Sequence, residues 1–316
     1  MDMNYLLLLQ NMREALHGAP DGLFVLISKL GETTALILVV AVIYYAIDKE
    51  LGTYIGFNSL IGMTLNGILK ITACVYRPWI RDPRIHPVAG ALAGATGYSF
   101  PSGHSTIATA VYGGLALKTR KKRWLSAIFA AVWLLLCFSR NYLGVHTPQD
   151  VIVAILIGMG LLWLTAFMET KLKDHPEWDV RIAAVLLVVG VFLIFYAHFK
   201  SYPMDIGADG LLLADPEVMK KDSCSAAGAC IGFAFGWLLE RRYVNFTVDG
   251  GIMRRILRVI FGIITILAVK VVFGKIFGAF LPNDFAHVFS MCFVMIWTVA
   301  LYPLLVRKVE AKTVKA

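Results

Sequence analysis

The chain has 316 residues, of which 58% are hydrophobic and 16% charged, and its mean hydropathy is +0.70. A soluble domain carries about 25% charged and about 45–50% apolar residues. This balance therefore excludes a disordered protein, a collagen-like fibre and a nucleic-acid-binding module, and it points to a chain surrounded by lipid. The net charge of +9, from 30 Lys+Arg against 21 Asp+Glu, then reads as basic loops on the cytoplasmic side of a membrane, with no nucleic acid required.

The N-terminus lacks the basic n-region and the small-residue cleavage site of a signal peptide. Leu6 to Leu9, Met12 and Leu16 predict a short amphipathic helix at the membrane interface. Long uncharged stretches follow. A spanning helix needs about 20 mostly apolar residues, and this predicts nine spans near 22–47, 51–75, 102–118, 123–143, 148–170, 179–199, 223–242, 254–280 and 284–306. The eighth is interrupted by Lys270 and Lys275, which can snorkel to an interface. Basic clusters fall at 118–123, at 241–258 and after Arg307. Nine spans put all three on one side, cytoplasmic by the positive-inside rule. The opposite side receives the N-terminus, the 76–101 and 140–148 segments and an acidic 200–222 loop. That loop, with Gly207 and Gly210, reads as a passive connector, with a cover over the polar residues of that side as the alternative. The five cysteines (Cys74, Cys137, Cys224, Cys230, Cys292) have neither metal-ligand nor disulfide-framework spacing.

Three polar constellations are left unexplained by lipid burial, all on the predicted outer side. Lys70, Arg77 and Pro78 end the second span. Pro101, Ser102, Gly103 and His104 open the third. Ser139, Arg140, His146 and Asp150 cross from the fourth into the fifth. Ionisable residues at a membrane edge are costly unless paired or functional. Lys70, Arg77 and Arg140 can surround a dianionic phosphate, the Arg forks bidentately. Ser102 and Gly103 stand where free helix N–H groups face an anion. His146 can attack phosphorus if its other ring nitrogen is held. Asp150, four residues on, shares its helix face and can hold it. His104 is then left to protonate the leaving oxygen. Each piece also has a plainer reading. Ser102 alone is an ordinary N-cap, Thr147 to Asp150 reads as a capping box, and Arg81 and Arg84 read as interfacial anchors.

Together, KxxxxxxRP, PSGH and SRxxxxxHxxxD resemble the signature of the type 2 phosphatidic acid phosphatase superfamily. The signature covers residues 70–150. The resemblance implies an all-α polytopic membrane bundle with a six-helix phosphatase core over residues 1–200, and residues 201–316 as additional C-terminal transmembrane helices that the signature does not explain. It implies that Lys70, Arg77, Ser102, Gly103 and Arg140 bind phosphate, that His104 is the general acid and later activates water, that His146 forms a phosphohistidine and that Asp150 orients it. No cofactor or metal ion is expected. The expected activity is hydrolysis of a lipid phosphomonoester or pyrophosphate, phosphatidic acid-like or undecaprenyl pyrophosphate-like, at the outer face of a plasma membrane. The expected partners are that lipid phosphate and the membrane lipids. The oligomeric state stays open, a dimer among the options. Two other readings stand beside it: a phosphotransferase with a lipid alcohol as acceptor, and a non-catalytic phosphate-binding membrane protein. The intact His104, His146 and Asp150 set disfavours the last, because a binder needs no nucleophile.

Overall fold

A computed structural model describes residues 2–175, 177–207 and 210–313. The chain begins with α1 (Asp2–Ala15), α2 (Asp21–Lys29), α3 (Thr33–Val42), which continues as a π-helical turn over Ile43–Ile47, and α4 (Lys49–Ala73). Two single-turn helices follow, α5 (Pro78–Arg81) and α6 (Ala89–Leu92). Next, α7 (Gly103–Ala108), a π-helical stretch (Thr109–Gly113) and α8 (Gly114–Lys118) form one run. α9 (Arg123–Tyr142), α10 (Pro148–Asp174) and α11 (Trp178–Phe199) are long. The remaining helices are α12 (Pro216–Leu239), α13 (Ile252–Phe280), α14 (Asn283–Ile296) and α15 (Tyr302–Thr313), with π-helical turns at Glu240–Val244 and Trp297–Leu301. Among the described residues the extended structure amounts to one isolated antiparallel bridge between Ile206 and Leu212.

The fold is an all-α, multi-pass membrane bundle. Among the described residues seven helical stretches are long and apolar enough to cross a bilayer, and α2 with α3 makes an eighth, bent by 55° at the break. The stretch predicted as a span near 102–118 is helical, but its three pieces of 6, 5 and 5 residues fall short of the ~20 that a straight span needs.

Two compact units are present. The first takes in the chain up to Leu36, then Leu65–Leu164 and Phe199–Met219; the second takes in Ile37–Thr64, Thr165–His198 and the chain from Lys220.

The second unit is built on an aromatic core that includes Tyr44, Tyr45, Phe57, Phe233, Trp237, Phe246 and Tyr302. Buried phenol groups need partners. The Tyr44 and Tyr45 hydroxyls donate to the carbonyls of Val299 (3.0 Å) and Thr298 (2.6 Å) in the last π-helical turn. A glycine stripe on α12 lets α14 approach at backbone distance: a Cβ on Gly228 would collide with the Val288 carbonyl oxygen, and one on Gly232 with that of Cys292. Small residues at four-residue spacing permit this closeness between membrane helices. Lys49 pairs with the buried Glu240 (3.1 Å), and Arg258 pairs with Glu310 (2.6 Å).

The first unit is more polar inside. α1 is amphipathic, as its sequence predicts. Its buried side includes Leu6 and Leu9 but also Gln10 and Arg13, which are bound to the protein. Arg13 donates to the carbonyl of His86 (2.5 Å), and the Gln10 side-chain oxygen accepts from the His86 N–H (2.8 Å). Leu8, Met12 and Leu16 are exposed. Thus α1 straps the 84–86 turn as well as presenting an apolar face. All five cysteines are free thiols.

Candidate active site

The three constellations gather at helix ends within the first unit. Lys70 lies in the last turn of α4, Ser102 caps α7, Arg140 lies in the last turn of α9 and Asp150 lies in the first turn of α10. Helix ends expose unpaired backbone groups, and several of these are used here.

Lys70 Nζ donates to the carbonyls of Tyr98 (2.9 Å) and Pro101 (3.0 Å). Arg77 is buried and uses its whole fork. Its Nε donates to the Gly97 carbonyl (3.0 Å), its Nη2 to Thr96 (2.7 Å) and its Nη1 to Val145 (3.0 Å). The same Nη1 lies 2.9 Å from His146 Nε2. A guanidinium can only donate, so Nε2 must be the unprotonated nitrogen and the ring proton sits on Nδ1. Nδ1 faces Asp150 Oδ2 at 3.3 Å. Asp150 also fulfils its plainer reading, because its Oδ2 accepts from the Thr147 N–H (2.8 Å) while Thr147 Oγ1 accepts from the Asp150 N–H (3.4 Å). One carboxylate therefore closes the capping box and fixes the imidazole tautomer.

Ser102 Oγ accepts from the Ser105 N–H (3.3 Å) and from the Ser105 hydroxyl (3.0 Å). It is an N-cap. The first intrahelical backbone bond runs from Thr106 N to Ser102 O, so the N–H groups of Gly103 and His104 precede the ladder. The His104 ring sits beside Gly94 and Gly31. A Cβ on Gly31 would lie 3.2 Å from His104 Cδ2 and 2.9 Å from Leu136, which is a reason for glycine at the α2–α3 break. Burial first, and then the charges of Arg140, His146, Arg77 and Lys70, hold the His104 imidazole well below its ordinary value.

Arg140 is about 1% exposed. Its Nη1 donates to the Ser28 hydroxyl, while its Nε and Nη2 are buried with no partner among the described residues. Buried charged donors without acceptors are expensive. Two such atoms beside Arg77, Lys70 and two histidines make a receptor for an anion.

This cationic surrounding also acts on the nucleophile candidate. Burial first, and then the charges of Arg77, Arg140 and Lys70, push the His146 imidazole well below its ordinary value. The ring is thus held neutral, as an attacking nitrogen must be.

Two residues that the spacing argument misses join the site. Ser99 is fully buried. Its hydroxyl donates to Asp150 Oδ2 (2.5 Å) and lies 3.4 Å from His146 Nδ1. Its N–H donates to the Val75 carbonyl (2.7 Å), so it ties all three constellations together. Ser28 is the second. Nothing in the sequence marks either serine, except that Ser99 stands two residues before Pro101.

The residues that flank the site make contacts of their own. Arg81 pairs with Asp2 (3.4 Å) and Arg84 with Asp82 (2.8 Å). His86 is engaged by Gln10, and Trp79 lies 6.0 Å below the Arg77 guanidinium. Among the described residues, no group of three or more His, Cys, Asp or Glu side chains is placed to hold a metal ion.

Comparison with known proteins places this architecture. The PAP2 superfamily profile matches residues 51–174. The undecaprenyl-diphosphatase of Sulfolobus acidocaldarius is 30% identical over 151 residues, which cover 48% of this chain and 71% of the relative. The chain belongs to the PAP2 superfamily. Two Bacillus subtilis relatives of this PAP2 protein are each 28% identical. They are undecaprenyl-diphosphatase BcrC (42% of this chain, 66% of the relative) and phosphatidylglycerophosphatase B (38% and 63%). The chain therefore spans about two thirds of the length of these relatives. The last third, which the three motifs leave unexplained, matches the transmembrane extension of PAP2 superfamily phosphatases over residues 224–313. No solved structure matches the chain.

Proposed function

We propose that this PAP2 protein is a metal-independent lipid phosphatase that cleaves a phosphomonoester or pyrophosphate through a phosphohistidine on His146. The observation that carries this reading is the polarity of the His146 ring: Nδ1 is bound to Asp150 and Ser99, while Nε2 faces Arg77. The names of its relatives, two undecaprenyl-diphosphatases and a phosphatidylglycerophosphatase, support a lipid phosphate as substrate.

The phosphate enters among Lys70, Arg77, Arg140 and the N–H groups that open α7. The two unpartnered Arg140 nitrogens supply donors that need no rearrangement, and phosphoryl transfer draws most of its acceleration from such preorganised charge and positioning. The Nε2 lone pair attacks phosphorus in line. The bond to the leaving oxygen breaks, its electron pair stays on that oxygen, and His104, which takes up a proton when the substrate's negative charge offsets the surrounding cations, supplies it. Asp150 stabilises the imidazolium that forms at Nδ1–H. His104, now neutral, takes a proton from water. The hydroxide attacks phosphorus, the P–N pair returns to Nε2 and phosphate leaves. Because these groups lie at the ends of membrane helices, a headgroup can reach them while its chains stay in lipid. The basic loops at 118–123 and 241–258 support a site on the extracytoplasmic side of a plasma membrane.

The test is phosphate release by detergent-purified protein from lipid monophosphates and polyprenyl pyrophosphates, with His146→Ala alongside. Quenching with radiolabelled substrate should trap an acid-labile, base-stable phosphoprotein in the wild type alone. Turnover surviving in His146→Ala, or lost on chelation, refutes the mechanism.

A further inference from the structure

The segment between α11 and α12 falls in neither family match, and its sequence reads as a passive connector. Its structure argues otherwise. It joins Phe199 to Pro216, the ends of two helices long enough to span, so it lies at a membrane edge. It doubles back on itself. Leu213 N donates to the Asp205 carbonyl (2.9 Å) and Gly207 N to the Leu211 carbonyl (2.8 Å), with Ile206 bridged to Leu212. Besides Ser201, Asp205 and Asp215 it exposes large apolar side chains: Met204 is 62%, Ile206 67% and Leu211 68% accessible. A two-stranded ribbon is marginal in water, and a solvated turn would be polar. The charges in and around it are mixed, with Lys200, Lys220 and Lys221 beside Asp205, Asp215 and Glu217.

The connector, and the first turn of α12 that follows it, are each fastened to the catalytic loops. The Tyr76 hydroxyl donates to Asp205 Oδ2 (2.7 Å), and Tyr76 immediately precedes Arg77. At the other end Met219 lies so close over Gly97 that a Cβ there would collide with Met219 Cε. Gly97 presents its carbonyl to Arg77 Nε. Both anchors lead to the arginine that touches His146. Apolar side chains at a membrane edge, tied through Tyr76 to the loop that carries Arg77, fit the chain of a lipid whose phosphate lies among Arg77 and its neighbours.

We propose that Met204, Ile206 and Leu211 receive the hydrocarbon chain of the lipid substrate and set a preference for long-chain over short-chain phosphates. This rests on the lipid phosphatase reading. It makes the connector a specificity element attached to the phosphate pocket.

Two experiments on the full-length protein in mixed micelles test it. First, Ile206→Asn and Leu211→Asn, both at exposed positions, are compared on dioleoyl and dibutyryl phosphatidic acid. Each should lower kcat/KM for the long-chain substrate about tenfold and leave the short-chain value within about twofold. Equal losses on both substrates, or none on either, overturn the proposal. Second, a phosphatidic acid carrying a diazirine in its acyl chain is photolysed with the protein, and the labelled peptides are mapped. Label should fall on the connector peptide and diminish in the Leu211→Asn protein; its absence there overturns the proposal. Wild-type protein that releases phosphate from neither substrate, nor from a polyprenyl pyrophosphate, refutes the phosphatase reading instead, and the crosslink still judges the connector.

Discussion

Arg77 Nη1 and His146 Nε2 stand 2.9 Å apart, with the arginine as donor. That bond assigns the imidazole proton to the other nitrogen, where Asp150 receives it. Under the proposed mechanism, the cation that binds phosphate already touches the atom that attacks it. When an anion enters, the same N–H has a better acceptor in a phosphoryl oxygen, and Nε2 is released in place.

Arg77→Lys tests this arrangement. A lysine keeps the charge but cannot reach the Gly97, Thr96 and Val145 carbonyls together with Nε2, because it lacks the planar fork. We expect kcat/KM to fall by roughly 10²–10³, with kcat carrying most of the loss. Steady-state kinetics on a lipid monophosphate is the check, and a loss confined to KM would mean that Arg77 only gathers substrate.

Ser99→Ala removes one of the hydrogen bonds to Asp150 Oδ2 without touching the phosphate donors. The expected effect is a drop in kcat of about tenfold, ~1.4 kcal/mol, with KM unchanged. Ser99→Thr keeps the hydroxyl and should recover much of it. If Thr and Ala behave alike, the hydroxyl does not position the ring.

How much of this is legible in the sequence follows from distance along the chain. His146 and Asp150 are four apart at the start of a helix, so their contact can be read from spacing. Lys70, Arg77, Ser102, Gly103, His104 and Arg140 each sit at an apolar-run boundary, where a charge or a cap stands out. Ser28 and Arg140 meet across 112 positions, and Ser99 and Asp150 across 51. A serine that bonds so far away carries no local mark. The bend between α2 and α3 does carry a local mark, because Lys29, Gly31 and Glu32 interrupt the apolar residues of the span predicted at 22–47. What the sequence does not show is that His104 packs against Gly31. The buried polar residues of α1 are masked by the leucines beside them.

Stability should depend on pH through His146. In the unfolded chain its imidazole takes a proton near pH 6.5. In the folded protein, burial and then Arg77, Arg140 and Lys70 hold its value well below that. As pH falls through about 6.5 the unfolded state therefore binds more protons than the folded one, and unfolding free energy decreases. Above that pH the effect vanishes. Thermal unfolding in detergent between pH 7.5 and about 5 should show a falling Tm that is shallower in His146→Gln. Equal slopes would mean that His146 is protonated without penalty.

Inorganic phosphate should act in the opposite direction, through Arg140. A bound anion gives acceptors to Nε and Nη2, which have none among the described residues. Phosphate at ~100 times its Kd should therefore stabilise the folded protein by about 2.7 kcal/mol. Ser28→Ala frees Nη1 and leaves a third buried donor unpaired, at a cost of ~1–3 kcal/mol. The variant should melt lower than wild type without phosphate and need more phosphate for half of its own Tm gain, because Ser28 no longer aims the guanidinium. Thermal shift against phosphate concentration measures both quantities. An unchanged midpoint with a lowered baseline would assign Ser28 to stability alone.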